Sequence, residues 1–126
     1  INLNEGGFSA QQVGQSYSNL LEDMLADQKL EKYQLAKAEP LAPKEEGGLN
    51  IEGLCATPDQ QLLIGFRNPI REGKALLVPL KNPTDLIEKE NISAIFGDPI
   101  DLDLGGLGIR SIEYWESQQL YLIAAG

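Results

Sequence analysis

Glu52 and Arg110 are the residues around which a polar site can be built, because an internal match sets them in equivalent places. The stretch Gly47-Gly48-Leu49-Asn50-Ile51-Glu52-Gly53-Leu54 returns 58 residues later as Gly105-Gly106-Leu107-Gly108-Ile109-Arg110-Ser111-Ile112. The match runs on without a gap through Gln60-Gln61-Leu62 and Gln118-Gln119-Leu120, with seven of the sixteen positions from 47 to 62 identical. Chance at ordinary composition gives about one or two. If each copy opens a sheet of a stacked repeat, Glu52 and Arg110 lie side by side with opposite charge, where a guanidinium fork can grip a carboxylate through two hydrogen bonds. The ordinary role of such a pair is to fix the register between sheets, and ligand or metal binding by Glu52 is the alternative. Arg67, at the exit of the apolar run Leu62-Leu63-Ile64-Gly65-Phe66, is a candidate anion contact, or else a cap on loop carbonyls or a further partner of Glu52. Were Arg67 and Arg110 to converge on Glu52, a small polar site would form at the axis of the stacked sheets.

Other residues offer less. Asp98, Asp101 and Asp103 supply carboxylates at spacings of three and two, which suggests ligation of a hard divalent cation such as calcium. No glycine sits at the bend and no bidentate glutamate follows at the required distance, so a solvated strand edge is the preferred reading. Glu52, Asp101 and Asp103 stay as metal candidates without a firm ligand set, and no cofactor is expected. Gly105-Gly106-Leu107-Gly108 lacks the following helix that a phosphate loop needs, and reads as a turn. The chain has no histidine, which removes a Ser-His-Asp triad, histidine-ligated zinc and an imidazole base from this segment. Cys55 reads as a small buried hydrophobe with no activating partner. Tyr114, Trp115 and Tyr121 read as packing aromatics, with a carbohydrate or peptide surface as the alternative.

The positioning elements follow from composition and period. The 126 residues fit one ordinary domain, and no apolar run approaches the roughly 18 residues of a membrane span, so the chain reads as soluble. A net charge of −9 opposes binding to phosphate backbones or anionic lipid, which excludes nucleic acid and membrane as expected partners. The acidity is spread along the chain, −4 over residues 1–46 and −5 over the rest. A single cysteine cannot make an internal disulfide, which points toward a reducing compartment such as the cytoplasm, with the periplasm or export left open. The absence of an initiator Met and an end directly after an apolar run point to a segment of a longer chain.

Residues 1–15, with Gly6, Gly7, Gly14 and several glutamines, read as extended or irregular. Tyr17, Leu20, Leu21, Met24 and Leu25 fall at helical spacing, which predicts a helix over about 18–26, capped by Asn19 with Glu22 and resuming through Leu30 and Tyr33. Pro40, Pro43 and Gly47-Gly48 mark a linker. Strands are expected near 50–56, 62–67, 74–80 and 100–104, the middle two covered on both faces by packed sheets. Residues 82–96 form an insert, and 109–115 with 120–124 begin the next unit. The division is thus 1–46, an irregular segment with helix and linker, and 47–126, β repeats.

Gly48-Leu49-Asn50-Ile51-Glu52-Gly53-Leu54, Leu63-Ile64-Gly65-Phe66-Arg67-Asn68-Pro69 and Leu104-Gly105-Gly106-Leu107-Gly108-Ile109-Arg110-Ser111 together resemble a bacterial family of unknown function, domain of unknown function 3616, over roughly residues 40–126. The resemblance implies a β-propeller-like fold and a longer full-length protein, with no agreed activity. The fold expected is therefore mainly β, about one and a half blades of a β-propeller preceded by a short α-helix. The expected role is a binding or scaffold module whose partner is a small molecule or protein, with self-association of the segment through strand edges. The alternative is a metal-dependent hydrolase, esterase-like, phytase-like or lactonase-like, since Glu52-Gly53-Leu54 is similar to a blade opening in such propellers. In that version Glu52 holds a divalent cation in a channel and the arginines steer an anionic ester.

Overall fold

The computed structural model describes residues 2–4 and 6–126. Strands β1 (Asn2–Asn4) and β2 (Gly7–Ser9) pair as a short antiparallel hairpin, where an extended or irregular segment was expected; Ile1 and Glu5 of that segment lie outside the described residues. Helix α1 (Leu20–Ala26), a 3-10 helix (Gln28–Tyr33) and α2 (Leu35–Ala38) follow. Next come β3 (Asn50–Ala56), β4 (Leu62–Asn68), β5 (Ala75–Leu80), α3 (Pro83–Glu88), β6 (Ile100–Leu102), β7 (Ile109–Trp115) and β8 (Leu120–Ala125). The protein is mainly β with antiparallel sheets, and the strands fall where the apolar runs place them. No helix among the described residues is long and apolar enough to cross a membrane.

The helical segment starts as its period requires, but its cap differs from expectation. The Asn19 side chain makes no capping hydrogen bond; the backbone carbonyl of Asn19 accepts from Asp23 N at 2.9 Å. Asp23 rather than Glu22 is the anchoring acid, accepting from the Tyr17 hydroxyl and, at 2.8 Å, from Ala94 N. Asp27 caps the 3-10 helix by accepting from Lys29 N at 2.8 Å.

Strands β3, β4, β5 and β6 form one antiparallel sheet in sequence order, and successive side chains alternate between its faces. Ile64 and Phe66 of β4, with Leu76, Val78 and Leu80 of β5, pack against Met24, Leu30, Tyr33 and Leu35 of the helical segment and against Leu86 and Phe96. Leu63, Ala75 and Leu77 face the other way, onto Ile109 and Ile112 of β7. The middle strands are therefore apolar on both sides, as expected, yet only one cover is a sheet; the other is helical. Asp101 lies on the helical side, opposite Leu76 in the register, where it accepts from the Tyr33 hydroxyl at 2.7 Å. Asp101 stays exposed, as the solvated edge expected of it requires, with this contact added.

The β7–β8 hairpin lies across the first sheet at a place prepared by two glycines. Gly53 and Gly65 are register partners, and a Cβ on either would stand 2.9 Å and 2.6 Å from Ile109 Cγ2. Ile109, with no exposed surface, fills the hollow left by the two missing side chains.

Both hairpins carry a bulge at the matching residue. The register of β3 shifts between Ile51 and Gly53, and that of β7 between Ile109 and Ser111, so Glu52 and Arg110 are the extra residues. The gapless alignment then fails at the turns. The first hairpin closes through residues 58–60, between Thr57 and Gln61 joined by Thr57 N to Gln61 O at 2.9 Å. The second closes through 116–119, a 3-10 turn between the paired Trp115 and Leu120. Left-handed residues show the same offset, since Gln60 and Gln119 hold positive φ, not Gln60 and Gln118. With one more residue in the second turn, Gly65 corresponds in register to Ala124, and Arg67 to Gly126.

A double-mutant cycle in urea tests the seat of Ile109. Gly65→Ala is expected to cost about 1–3 kcal/mol through overpacking, and clearly less in an Ile109→Ala background, where Cγ2 is gone.

Candidate functional site

The bulges aim Glu52 and Arg110 toward each other, and β4 delivers Arg67 from the neighbouring strand. Arg67 Nη1 donates to Glu52 Oε1 at 3.0 Å, and Arg110 Nε lies 3.6 Å from Oε2. Asn50 Nδ2 donates to Oε1 at 2.9 Å, and Arg67 Nε to the Gly126 carbonyl at 3.4 Å. All three sequence-derived site residues thus meet, one carboxylate between two guanidiniums. The exposed fractions of the side chains are 27% for Glu52, 30% for Arg67 and 56% for Arg110, so water reaches the cluster and screens it.

Close backbone approach makes this geometry possible. A Cβ on Gly108 would meet the Arg67 carbonyl oxygen at 2.0 Å, so only glycine lets the chain entering β7 pass against the end of β4. Gly126 N then donates to Gly108 O at 3.0 Å, closing the strand pair beside the cluster. Arg67 also forms part of the wall of an adjoining cavity of about 270 Å³, with Lys44, Asn68 and Gly106.

The environment stabilises the charged form of Glu52. The hydrogen bond from Arg67 is the chief cause holding its carboxyl below the ordinary 4.5, assisted by the Asn50 amide and by the charges of Arg67 and Arg110, and opposed by desolvation. Chemically, the cluster presents two cations to one anion, with net positive charge at an exposed arginine. Such a place suits register-fixing or contact with an anion.

The remaining candidates do not join it. Asp101 is engaged with Tyr33, and its second oxygen lies 3.9 Å from Lys32 Nζ. Asp103 accepts from Gly105 N at 3.2 Å, an Asx turn at the glycine pair, where Gly105 and Gly106 hold positive φ. Asp98 is exposed. Among the described residues no three His, Cys, Asp or Glu side chains gather to hold a metal. Cys55 is buried, its thiol 3.3 Å from the Ala56 carbonyl. Tyr114 and Tyr121 pair across the hairpin with centroids 4.9 Å apart. Sequence reasoning missed Asn50 and the Gly126 carbonyl as partners; neither carries a signal apart from the bulge and register that bring it near.

The family model described as protein of unknown function (DUF3616) matches residues 4–126. The chain belongs to this family, and the match reaches back across the helical segment rather than beginning near residue 40. No curated protein and no solved structure matches the chain.

The sign of the Glu52 shift sets a pH test. A folded-state value below the unfolded one means that the cluster's contribution is complete above the ordinary 4.5 and is lost as pH falls through the lower, folded value. Glu52→Gln is expected to lower the unfolding midpoint at neutral pH and to flatten the loss of stability in that acid window, read by urea unfolding at a series of pH values.

Proposed function

We propose that this chain is a binding or scaffold module built from sheets stacked in the manner of propeller blades. One observation carries the reading: the outer face of β7–β8 has small residues at the register positions that correspond to Gly53 and Gly65, flanked by exposed apolar side chains. Ser111 and Ala124 are register partners, as Gly53 and Gly65 are, and both are small and exposed. Beside them Trp115, Leu120 and Leu122 leave a large apolar surface open, and among the described residues β8 pairs only with β7. A face of this kind, with a free edge lacking charge and proline, fits a further strand or sheet better than it fits water. In the first sheet, β5 occupies the corresponding edge of β4.

The arrangement of Glu52 favours this reading over the metal-dependent hydrolase. Its oxygens accept from Arg67 and Asn50 and face Arg110, so a divalent cation there would have to displace or sit beside two guanidiniums. Glu52 and its arginines act in our reading as a joint between consecutive sheets, and Arg110, 56% exposed beside Glu52 Oε2, is the member of the joint that can also meet an anionic group of a small molecule or protein.

Leu122→Lys distinguishes a covered face from a free one. If a further sheet packs there, the substitution costs about 1–3 kcal/mol in the protein, whereas on free surface it stays within about 0.5 kcal/mol. Thermal unfolding with millimolar calcium addresses the rival: no upward shift is expected, and a shift that Glu52→Gln abolishes would favour the hydrolase.

A further inference from the structure

A groove beside the helical segment concentrates cations in an otherwise acidic chain. It has a volume of about 480 Å³ and runs between the helical segment and the β4–β5 connection, with Lys32, Lys37, Arg71 and Tyr33 in its wall beside Leu41 and Ile70. Three of the chain's ten Lys and Arg residues are gathered here, although the net charge is −9. No carboxylate belongs to the wall. The acids that pair with wall residues are Glu72, with Arg71 Nη2 at 3.2 Å, and Asp101, with the Tyr33 hydroxyl and, at 3.9 Å, Lys32.

The cations are held in place around an aromatic ring. Arg71 Nε donates to the Lys32 carbonyl at 3.1 Å, and the Arg71 guanidinium and Lys32 ammonium lie 5.9 Å and 5.1 Å from the Tyr33 ring centroid, within cation–π range. Of the five guanidinium N–H donors, those on Nη1 have no partner among the described residues, and Lys37 has no ion-pair partner there either. Tyr33 itself is buried, its phenol pushed above 10 by burial first and then by the bond to Asp101, so it remains a neutral donor. The wall thus offers unpaired positive charge beside apolar surface, in a volume suited to a small molecule.

We propose that this groove binds a small organic anion, a carboxylate or phosphate head on an apolar body, with Lys37 and Arg71 taking the head and Leu41 and Ile70 the body. The site deepens the binding half of the function proposed above; it shares Ile70 with the cavity beside Arg67 but includes no residue of the Glu52 cluster or of β7–β8.

Isothermal titration of the protein with phenyl phosphate at low salt is expected to give saturable binding, tighter than that of inorganic phosphate; benzoate in its place reports which head the groove prefers. Lys37→Glu, at an exposed side chain, is expected to weaken binding about fivefold or more without changing the thermal midpoint. Arg71→Gln is expected to act in the same direction. Leu122→Lys, on the outer face of β7–β8, should leave the affinity unchanged, so failure of the sheet-stacking reading and failure of this site appear in different variants. No saturable binding of either probe, or an affinity indifferent to Lys37→Glu, overturns the proposal.

Discussion

The structure depends on how closely the β7–β8 hairpin can approach the first sheet, and that distance is set by the absence of two side chains. Gly53 and Gly65 face each other across β3 and β4, and Ile109 occupies the space their Cβ atoms would have taken. Burying one isoleucine is worth about 1.5–3 kcal/mol, a large share of any domain's margin, but its geometric effect matters more. It brings the start of β7 against the end of β4, which Gly108 also requires. At that separation the bulged residues of the two hairpins can touch.

From this approach the polar cluster follows. A bulge re-aims one side chain, and here two bulges at matching positions turn Glu52 and Arg110 toward a common point, to which Arg67 reaches from β4. An exposed ion pair adds little by itself; a carboxylate held by two guanidiniums and an amide fixes one register over its alternatives. The joint and the hydrophobic seat therefore specify the same docking of the hairpin, one by shape and the other by charge. The cationic groove uses other charged residues, where the helical cover meets the β4–β5 connection.

Much of this was legible in the residues. The runs around Leu63 and Leu77 gave the central strands and their double burial, and the matched Gly-Leu-x-Ile segments put Glu52 and Arg110 in equivalent places, with Arg67 near enough to join. The turns were not legible. Gln60-Gln61-Leu62 and Gln118-Gln119-Leu120 are identical in type, yet the second turn is one residue longer, so the left-handed positions fall at Gln60 and Gln119. Identity of residues does not fix the register when polar glutamines can take either place. Period alone also cannot say what covers an apolar strand, and a sheet was expected where the helical segment lies. The groove escaped notice because Arg71 lies more than thirty residues along the chain from Lys32 and Lys37, and a charge of −9 concealed their convergence.

Amide hydrogen exchange, followed residue by residue, reports most directly whether the glycine hollow unites the two sheets. If the seat of Ile109 governs the docking, the amides of β3, β4 and β7 exchange together as one cooperative unit of the highest protection. Exchange of β7 and β8 at a rate far above that of β3 and β4, with the first sheet still protected, would show that the hairpin opens on its own and would contradict the account.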